Sequence, residues 1–391
     1  MTDVAEYLER VEKLAPLISE HAPRAESLRR LTPEVYQAMR DAELFAIVTP
    51  AAYGGADLDP LDALQVWERL GRYDPSVAWV ALMNATFAAF TAWLPTEGTD
   101  EIFADGPVPI AGALNPPAPA RRVDGGWRLT GQVSYASGCD YADWVVVPGV
   151  EMEGEGPKVD PETGEPRPLV MLLPRSAVTV VDTWHTLGMR GTGSADVRFV
   201  DAFVPDHLCY PIGPLTSPNP AFDQVAARMF PMLSVAGEAM VSVAAAARMV
   251  DEIVALAQHK NPGYTAITLR DRELAQYQAA RARAHVEAAR DTLRASCAEA
   301  VADASTGSLL GTESKIRVQL AASFAAEAAA EAGRDVHAAA GSTSIRTEYL
   351  FERLFRDLHT LSQHASKALP RYASVGRMMF GLDSGWIFLS F

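Results

Sequence analysis

Residues 354–369 read LFRDLHTLSQHASKAL, a helical pattern that carries two histidines, His359 and His364, and no carboxylate after Asp357. Imidazole gains and loses its proton near neutral pH, so such a histidine is equipped to act as acid or base on a bound small molecule. Residues five apart on a helix point about 140° away from each other, so one site can take only one of the two. Other chemistries lack their residues. The eight histidines include no H-x-x-x-H pair and no H-E-x-x-H motif, which leaves no metal site to propose. No G-x-S-x-G elbow, P-loop or strand-linked G-x-G-x-x-G occurs. GMRGTGS (188–194) has the composition of a phosphate loop but lacks the lysine and precedes a strand, so it reads as a turn between strands.

The elements that must position these groups change character along the chain. Helical patterns dominate residues 3–105, with ADLDPLDALQVWERLGRYD the clearest: Asp59 suits the N-cap and Pro60 the first helical position. From about residue 108 come short runs rich in Val, Leu and Thr, such as WRLTGQVSYASG, ADWVVVPGV, PLVMLLP and ADVRFVDAFVP, bounded by Gly, Pro and Asp. Between two of them, EMEGEGPKVDPETGEPRP is acidic and rich in turn residues, and reads as a mobile, solvated excursion. After GPLTSPNPAF the sequence turns to long Ala-rich helices whose small residues suit close packing in an antiparallel bundle.

Composition bounds the function. A chain of 391 residues is expected to form two or three domains. A net charge of −15 without a basic cluster argues against a nucleic-acid surface, and no apolar run is expected to approach the length needed to cross a membrane. Cys139, Cys209 and Cys297 are widely spaced and expected to be reduced, and MTDVAEYLERVEKL lacks the pattern of a secretory signal, so a cytosolic location is expected.

The three-part order and several motifs resemble the acyl-CoA dehydrogenase superfamily over nearly the whole chain. LFAIVTPAAYGGADLDPLDALQVWERLGRYDPSVAWV (44–80) is similar to the family's N-terminal helical signature, and GQVSYASGCDYADWVVV (131–147) to the strand lining its flavin ring. LGMRGTGSADVRFVDAFVP (187–205) is similar to the next strand pair, and RDVHAAAGSTSI (334–345) and ERLFRDLHTLSQHA (352–365) to two helix regions around the cofactor. The implied fold is α+β: an N-terminal helical domain over 1–107, a middle β-barrel domain over 108–215 and a C-terminal four-helix bundle over 216–391. Where the dehydrogenases carry a catalytic glutamate, just after the RD of the last motif, this chain has LHTLSQHASKA. Without that base an acyl thioester cannot lose its α-proton, although Glu238 or Glu252 on another helix keeps a dehydrogenase, or a non-catalytic flavin-binding paralogue, in view as an alternative.

SYASG, TWHTLGMRGTGS and SQHA resemble instead the two-component (group D) flavin-dependent monooxygenase branch, whose oxygenase components include p-hydroxyphenylacetate hydroxylase, dibenzothiophene monooxygenase and the amino-sugar N-oxygenases. That resemblance implies reduced FMN, with FAD as the alternative, supplied by a separate NAD(P)H:flavin reductase. It also implies a flavin C4a-hydroperoxide that transfers oxygen to a small organic substrate, an aromatic or polyketide-like ring or an amine nitrogen, with oxidation at sulfur also open, and a homotetramer or dimer. By its place in SQHA, His364 is the implied proton-handling residue, with His359 the runner-up. Ser137 is placed at flavin N5 with Gly138 beside it, Trp184 over the ring, and Asn115 at the flavin. Arg190, Thr192, Ser194, Lys260 and Gly341–Ser344, Ser342 included, are candidates for its phosphate. The phenol hydroxylases carry a histidine in the helix matching AWVALMNATFAAF; here Met83, Asn84 and Thr86 stand there, and Asn84 is the group left to orient substrate or peroxide.

Overall fold

The computed structural model describes residues 3–161, 164–212 and 218–390. The N-terminal region is helical: α1 (Val4–Leu28), α2 (Pro33–Asp41), α3 (Pro60–Tyr73), α4 (Pro75–Phe87) and α5 (Thr96–Ile102). Helix α3 starts as its sequence dictates, with the Asp59 carboxylate accepting from the Leu61 N–H and Pro60 in the first turn. Asp74 does the same for α4, accepting from the N–H groups of Ser76 and Val77. Helix α4 is buried on nearly every face, which corrects the expectation that no apolar run reaches membrane-spanning length. Pro75–Trp93 reaches it, and 83% of that stretch is buried inside the protein as a core helix.

The middle region folds as β1 (Ile110–Gly112), β2 (Ala118–Val123), β3 (Gly126–Val133), β4 (Trp144–Glu153), β5 (Gly156–Pro157), β6 (Pro168–Pro174), β7 (Thr179–Val181), β8 (Asp196–Pro205) and β9 (Cys209–Pro211). The expected barrel takes the form of a mixed nine-stranded sheet in the order β7-β8-β3-β2-β4-β6-β9, with β1 and β5 also on β4 and no β7–β9 pairing among the described residues. Strand β4 pairs in parallel with β1 and β2 and antiparallel with β6, so its centre, Val145 to Val147, lies at the core and is wholly apolar. The acidic segment after β4 is more ordered than its composition suggests. Gly154, at φ +64°, turns the chain so that β5 pairs back on β4, a further bridge joins Val159 to Pro166, and ion pairs Lys158–Glu151 and Arg167–Asp160 brace the turn. Residues 162 and 163 of that segment lie outside the described residues, as does the expected boundary at 215.

The C-terminal region comprises α6 (Val225–Arg228), α7 (Met232–Ala257), α8 (Glu273–Ala304), α9 (Thr312–Ala340), α10 (Leu350–Leu361), α11 (Pro370–Met379) and α12 (Ile387–Ser390). Helices α7, α8, α9 and α10 pack on one another as the four-helix bundle, and α7 also packs on α3 and α4, joining the bundle to the N-terminal helices in one apolar core. Gly237 permits the close approach: a Cβ there would lie 2.5 Å from Leu82 of α4. The stretch around His364 departs from expectation. Helix α10 ends at Leu361, and residues 362–369 form turns before α11, so the helical angle between His359 and His364 does not apply. The Ser362 hydroxyl donates to the His359 carbonyl at the helix end.

Candidate active site

Sheet register builds one wall. Strands β3 and β8 pair with Val133 opposite Val197, and beyond that pair the chains stay together: Ala136 N–H donates to Ala195 O and Gly138 N–H to Thr192 O. Ser137 and Ser194, far apart in sequence, therefore meet at 2.7 Å between hydroxyls, and Thr192 Oγ1 lies 2.6 Å from Ser194. All three are buried. Gly138, at φ +74°, is required there, since a Cβ would lie 2.9 Å from the Asn84 amide.

Helix α4 supplies the floor. Trp79 Nε1 donates to Ser137 Oγ at 3.0 Å, and Asn84 Nδ2 donates to the Ser137 carbonyl at 3.1 Å. Asn84 Oδ1 accepts from the Tyr36 hydroxyl, and the residue is fully buried. With one bond at each end of its amide, Asn84 fixes the Ser137 backbone.

The third wall is a charge cluster that the helical reading of 354–369 did not foresee. His364 Nδ1 lies 2.8 Å from both Oε2 of Glu238, on α7, and Oγ of Ser366. Ser366 donates to the same carboxylate oxygen, and Lys367 Nζ stands 3.8 Å from it, longer than a hydrogen bond. Glu238 and Lys367 are almost completely buried, whereas the His364 side chain is 39% exposed. Burial alone would raise the Glu238 carboxyl, but His364, Lys367 and Ser366 outweigh it and hold it down at about 2. Burial pulls the Lys367 ammonium down to about 8 against the pull of Glu238. The Lys367 ammonium lies over the Trp79 ring at 4.6 Å, and His364 meets the same ring edge-on at 5.0 Å. Ser366, His364 and Glu238 do not form a hydrolytic triad, because serine and carboxylate share Nδ1 and leave Nε2 without a hydrogen bond among the described residues.

The missing carboxylate is thus supplied from α7. As a base for a dehydrogenase Glu238 is a poor choice, since His364, Lys367 and Ser366 already hold it ionised; Glu252 is tied to Arg248 at 2.7 Å. Sequence reasoning missed Lys367, Ser366 and Trp79 and saw Glu238 only as an alternative base. The usable signal was a lone charge in each of two apolar segments, SVAGEAMVSVAAAA and HASKAL.

The remaining candidates lie elsewhere. His359 faces the Phe355 ring, with ring centroids 4.2 Å apart, and its imidazole is lowered by burial and by Arg334 and His337. Trp184 Nε1 donates to Met189 O at 3.0 Å and its ring meets Tyr135 edge-on at 6.2 Å. Arg190 Nε donates to Thr186 O, and Asn115 is exposed with its carbonyl accepting from Ser134 N–H. Lys260 Nζ donates to Ala340 O and Thr343 Oγ1, capping the C-terminal end of α9 beside exposed Gly341 and Ser342. No hydrogen bond among the described residues joins this Lys260 group to the Ser137 cluster.

A cavity with room for about one water molecule lies between α4, α6 and the start of α7. Val48, Ala89, Phe230 and Leu233 form its apolar walls, with Thr86, Ser234 and Gln224 as polar groups. Gln224 Oε1 is buried without a hydrogen-bond partner among the described residues, and Ser234 Oγ donates to Glu238 Oε1 at 3.3 Å. No group of residues able to hold a metal ion occurs among the described residues.

Comparison with known proteins decides the family. The family model for the acyl-CoA dehydrogenase N-terminal domain matches residues 4–102, and that for the C-terminal domain residues 236–368. A pigment production hydroxylase of Rhodococcus sp. is 30% identical over 374 residues, 92% of each chain. An indole-3-acetate monooxygenase of Pseudomonas putida is 30% identical over 356 residues, 90% of this chain and 88% of that protein. The chain belongs to the flavin-dependent monooxygenase branch of the acyl-CoA dehydrogenase family. Among solved structures of that family, XiaF from Streptomyces sp., in complex with FADH2 and glycerol, superposes with a TM-score of 0.89 at 27% identity, covering 98% of this chain and 97% of that one. The residues present suit the family's flavin. The Ser137, Ser194 and Thr192 hydroxyls are bonded in a chain that ends with Thr192 donating to the Met189 carbonyl, and each oxygen keeps a lone pair to accept from a ring N–H, while the partly open Tyr135–Trp184 pair adds flat apolar surface beside them.

Proposed function

We propose that this chain is the oxygenase component of a two-component monooxygenase, taking reduced flavin from a separate NAD(P)H:flavin reductase and inserting one oxygen atom of O2 into a small organic substrate. FMN is the first candidate and FAD the alternative. The bound reduced flavin supplies two electrons for O2, so that R–H, O2 and reduced flavin yield R–OH, water and oxidised flavin. The observation that carries the reading is His364: its Nδ1 is anchored on a buried carboxylate, its Nε2 has no hydrogen bond among the described residues, and its ring lies against Trp79, whose N–H rests on Ser137. This chain's residues would hold the flavin edge at Ser137, keep water out with the apolar faces of α4 and α7, and move a proton at His364 Nε2. Asn84 contributes by holding the Ser137 carbonyl.

An aromatic substrate is supported by the relatives, which include an indole-3-acetate monooxygenase of Pseudomonas putida and a p-hydroxyphenylacetate 3-hydroxylase oxygenase component of Acinetobacter baumannii. An aromatic or polyketide-like ring is therefore placed ahead of an amine nitrogen. Assembly as a homotetramer belongs to the same reading; Met379, Phe380 and Leu382 expose apolar side chains that a second copy would cover. The test is single-turnover reaction of protein loaded with reduced FMN, or FAD, with 18O2 and a panel of phenols, indoles and arylamines. One labelled oxygen per product molecule is expected. Recovery of all O2 as hydrogen peroxide with every substrate, or anaerobic reduction of oxidised flavin by an acyl-CoA, overturns the proposal.

A further inference from the structure

We propose that Glu238 and Lys367 are positioning residues for His364: the carboxylate fixes the imidazole tautomer and favours its protonated form, and the buried ammonium opposes that protonation. This rests on the reading of His364 as the proton-handling group. A carboxylate can only accept, so the nitrogen facing it, Nδ1, carries the hydrogen. The neutral ring then presents a bare lone pair at Nε2 and can act as a base there. After taking the proton it is stabilised by the same carboxylate.

Two observations distinguish this from ordinary packing. The chain leaves α10 at Leu361 and, within the turns that follow, brings three side chains, His364, Ser366 and Lys367, onto one buried carboxylate. Gln319 of α9 secures the turn by donating to the Ser366 carbonyl at 2.7 Å. In addition, Lys367 Nζ is buried with no hydrogen-bond partner among the described residues, beside Glu238 at 3.8 Å and over the Trp79 ring face. A buried charge that donates no hydrogen bond adds little to stability compared with an apolar side chain of its size. What it does supply is a field opposite in sign to that of Glu238. The groups facing His364 are Glu238 from α7, Trp79 from α4, and Ser366 and Lys367 from its own turn; of these, Glu238 and Lys367 carry charges, opposite in sign.

The two charges therefore act with opposite signs, and the test reads that sign. In full-length 15N-histidine-labelled protein without flavin, the neutral His364 ring should show the Nδ1–H tautomer. Glu238→Gln, which keeps an acceptor oxygen, should lower the proton affinity of His364 about tenfold or more, and Lys367→Met should raise it. Should Glu238→Gln fold poorly because Lys367 is left unbalanced, the same change in the Lys367→Met background leaves no buried charge unpaired, and it must still lower the affinity relative to Lys367→Met alone. Unchanged titration, or shifts of the same sign in the two single variants, overturns the proposal whatever the reaction. In the reduced-flavin reaction, the pH profile of product per flavin should move to lower pH in Glu238→Gln. Titration that moves while this profile stays fixed overturns the assignment of His364 instead.

Discussion

His364 and Ser137 carry the proposed chemistry from opposite sides of Trp79, and each makes a separate prediction. His364→Ala should lower the rate of product formation by about 10²-fold or more, the usual worth of a positioned acid or base, and leave flavin affinity within about twofold. Ser137→Ala should weaken flavin binding and raise the fraction of O2 lost as peroxide, read by titration and peroxide assay. Asp357 behaves differently. It is fully buried, accepts from the Met189 N–H at 2.5 Å, and is pushed up to about 7 by burial. Its folded form prefers the proton, so the stability it contributes is complete below pH about 4 and is lost as pH rises through about 7. Asp357→Asn keeps the acceptor and should equal wild type at pH 4 but exceed it at pH 8 by on the order of 2 kcal/mol in urea unfolding. The imidazole at 364 could be nominated as a proton carrier from its residue type and motif. Its partner was not, because Glu238 lies 126 positions earlier and nothing in local periodicity reports a contact across helices.

Among the elements, the helices with explicit end signals matched their sequence: Asp59-Pro60 and Asp74-Pro75 begin α3 and α4 as their chemistry requires. Asp74→Ala should cost about 1 kcal/mol for the cap and more for the loss of Arg353, 3.5 Å away, whereas Asp74→Asn should keep most of the cap; thermal unfolding separates them. The helix through 354–369 was misjudged because its apolar spacing continues past Leu361, while the buried carboxylate of α7 draws His364, Ser366 and Lys367 into turns. Close approach of α7 to α4 has its own test. Gly237→Ala places a methyl against Leu82 and Trp67, and should destabilise by about 1–3 kcal/mol while also disturbing the His364 titration, since Glu238 is the next residue.

At the scale of the whole molecule, the three-part order was readable because each part has its own residue pattern, yet the site belongs to none of them alone. Trp79 comes from the N-terminal helices, Ser137 and Ser194 from the sheet, and Glu238 and His364 from the bundle. Such a site exists only when all three parts have docked, which is why sequence patterns within each part could nominate residues but not join them. Acid should expose this dependence. With Glu238 held at about 2, its contribution is complete above pH 4.5 and is lost as pH falls toward 2, so a steep loss of stability is expected in that range and a shallower one in the Glu238→Gln/Lys367→Met double variant. Trp79 occupies the junction of the three parts, with its N–H on Ser137 and its ring against His364 and Lys367. Its indole is therefore a built-in fluorophore for the site: against the steady background of the other six of the chain's seven tryptophans, a single emission signal should track the charge on the imidazole.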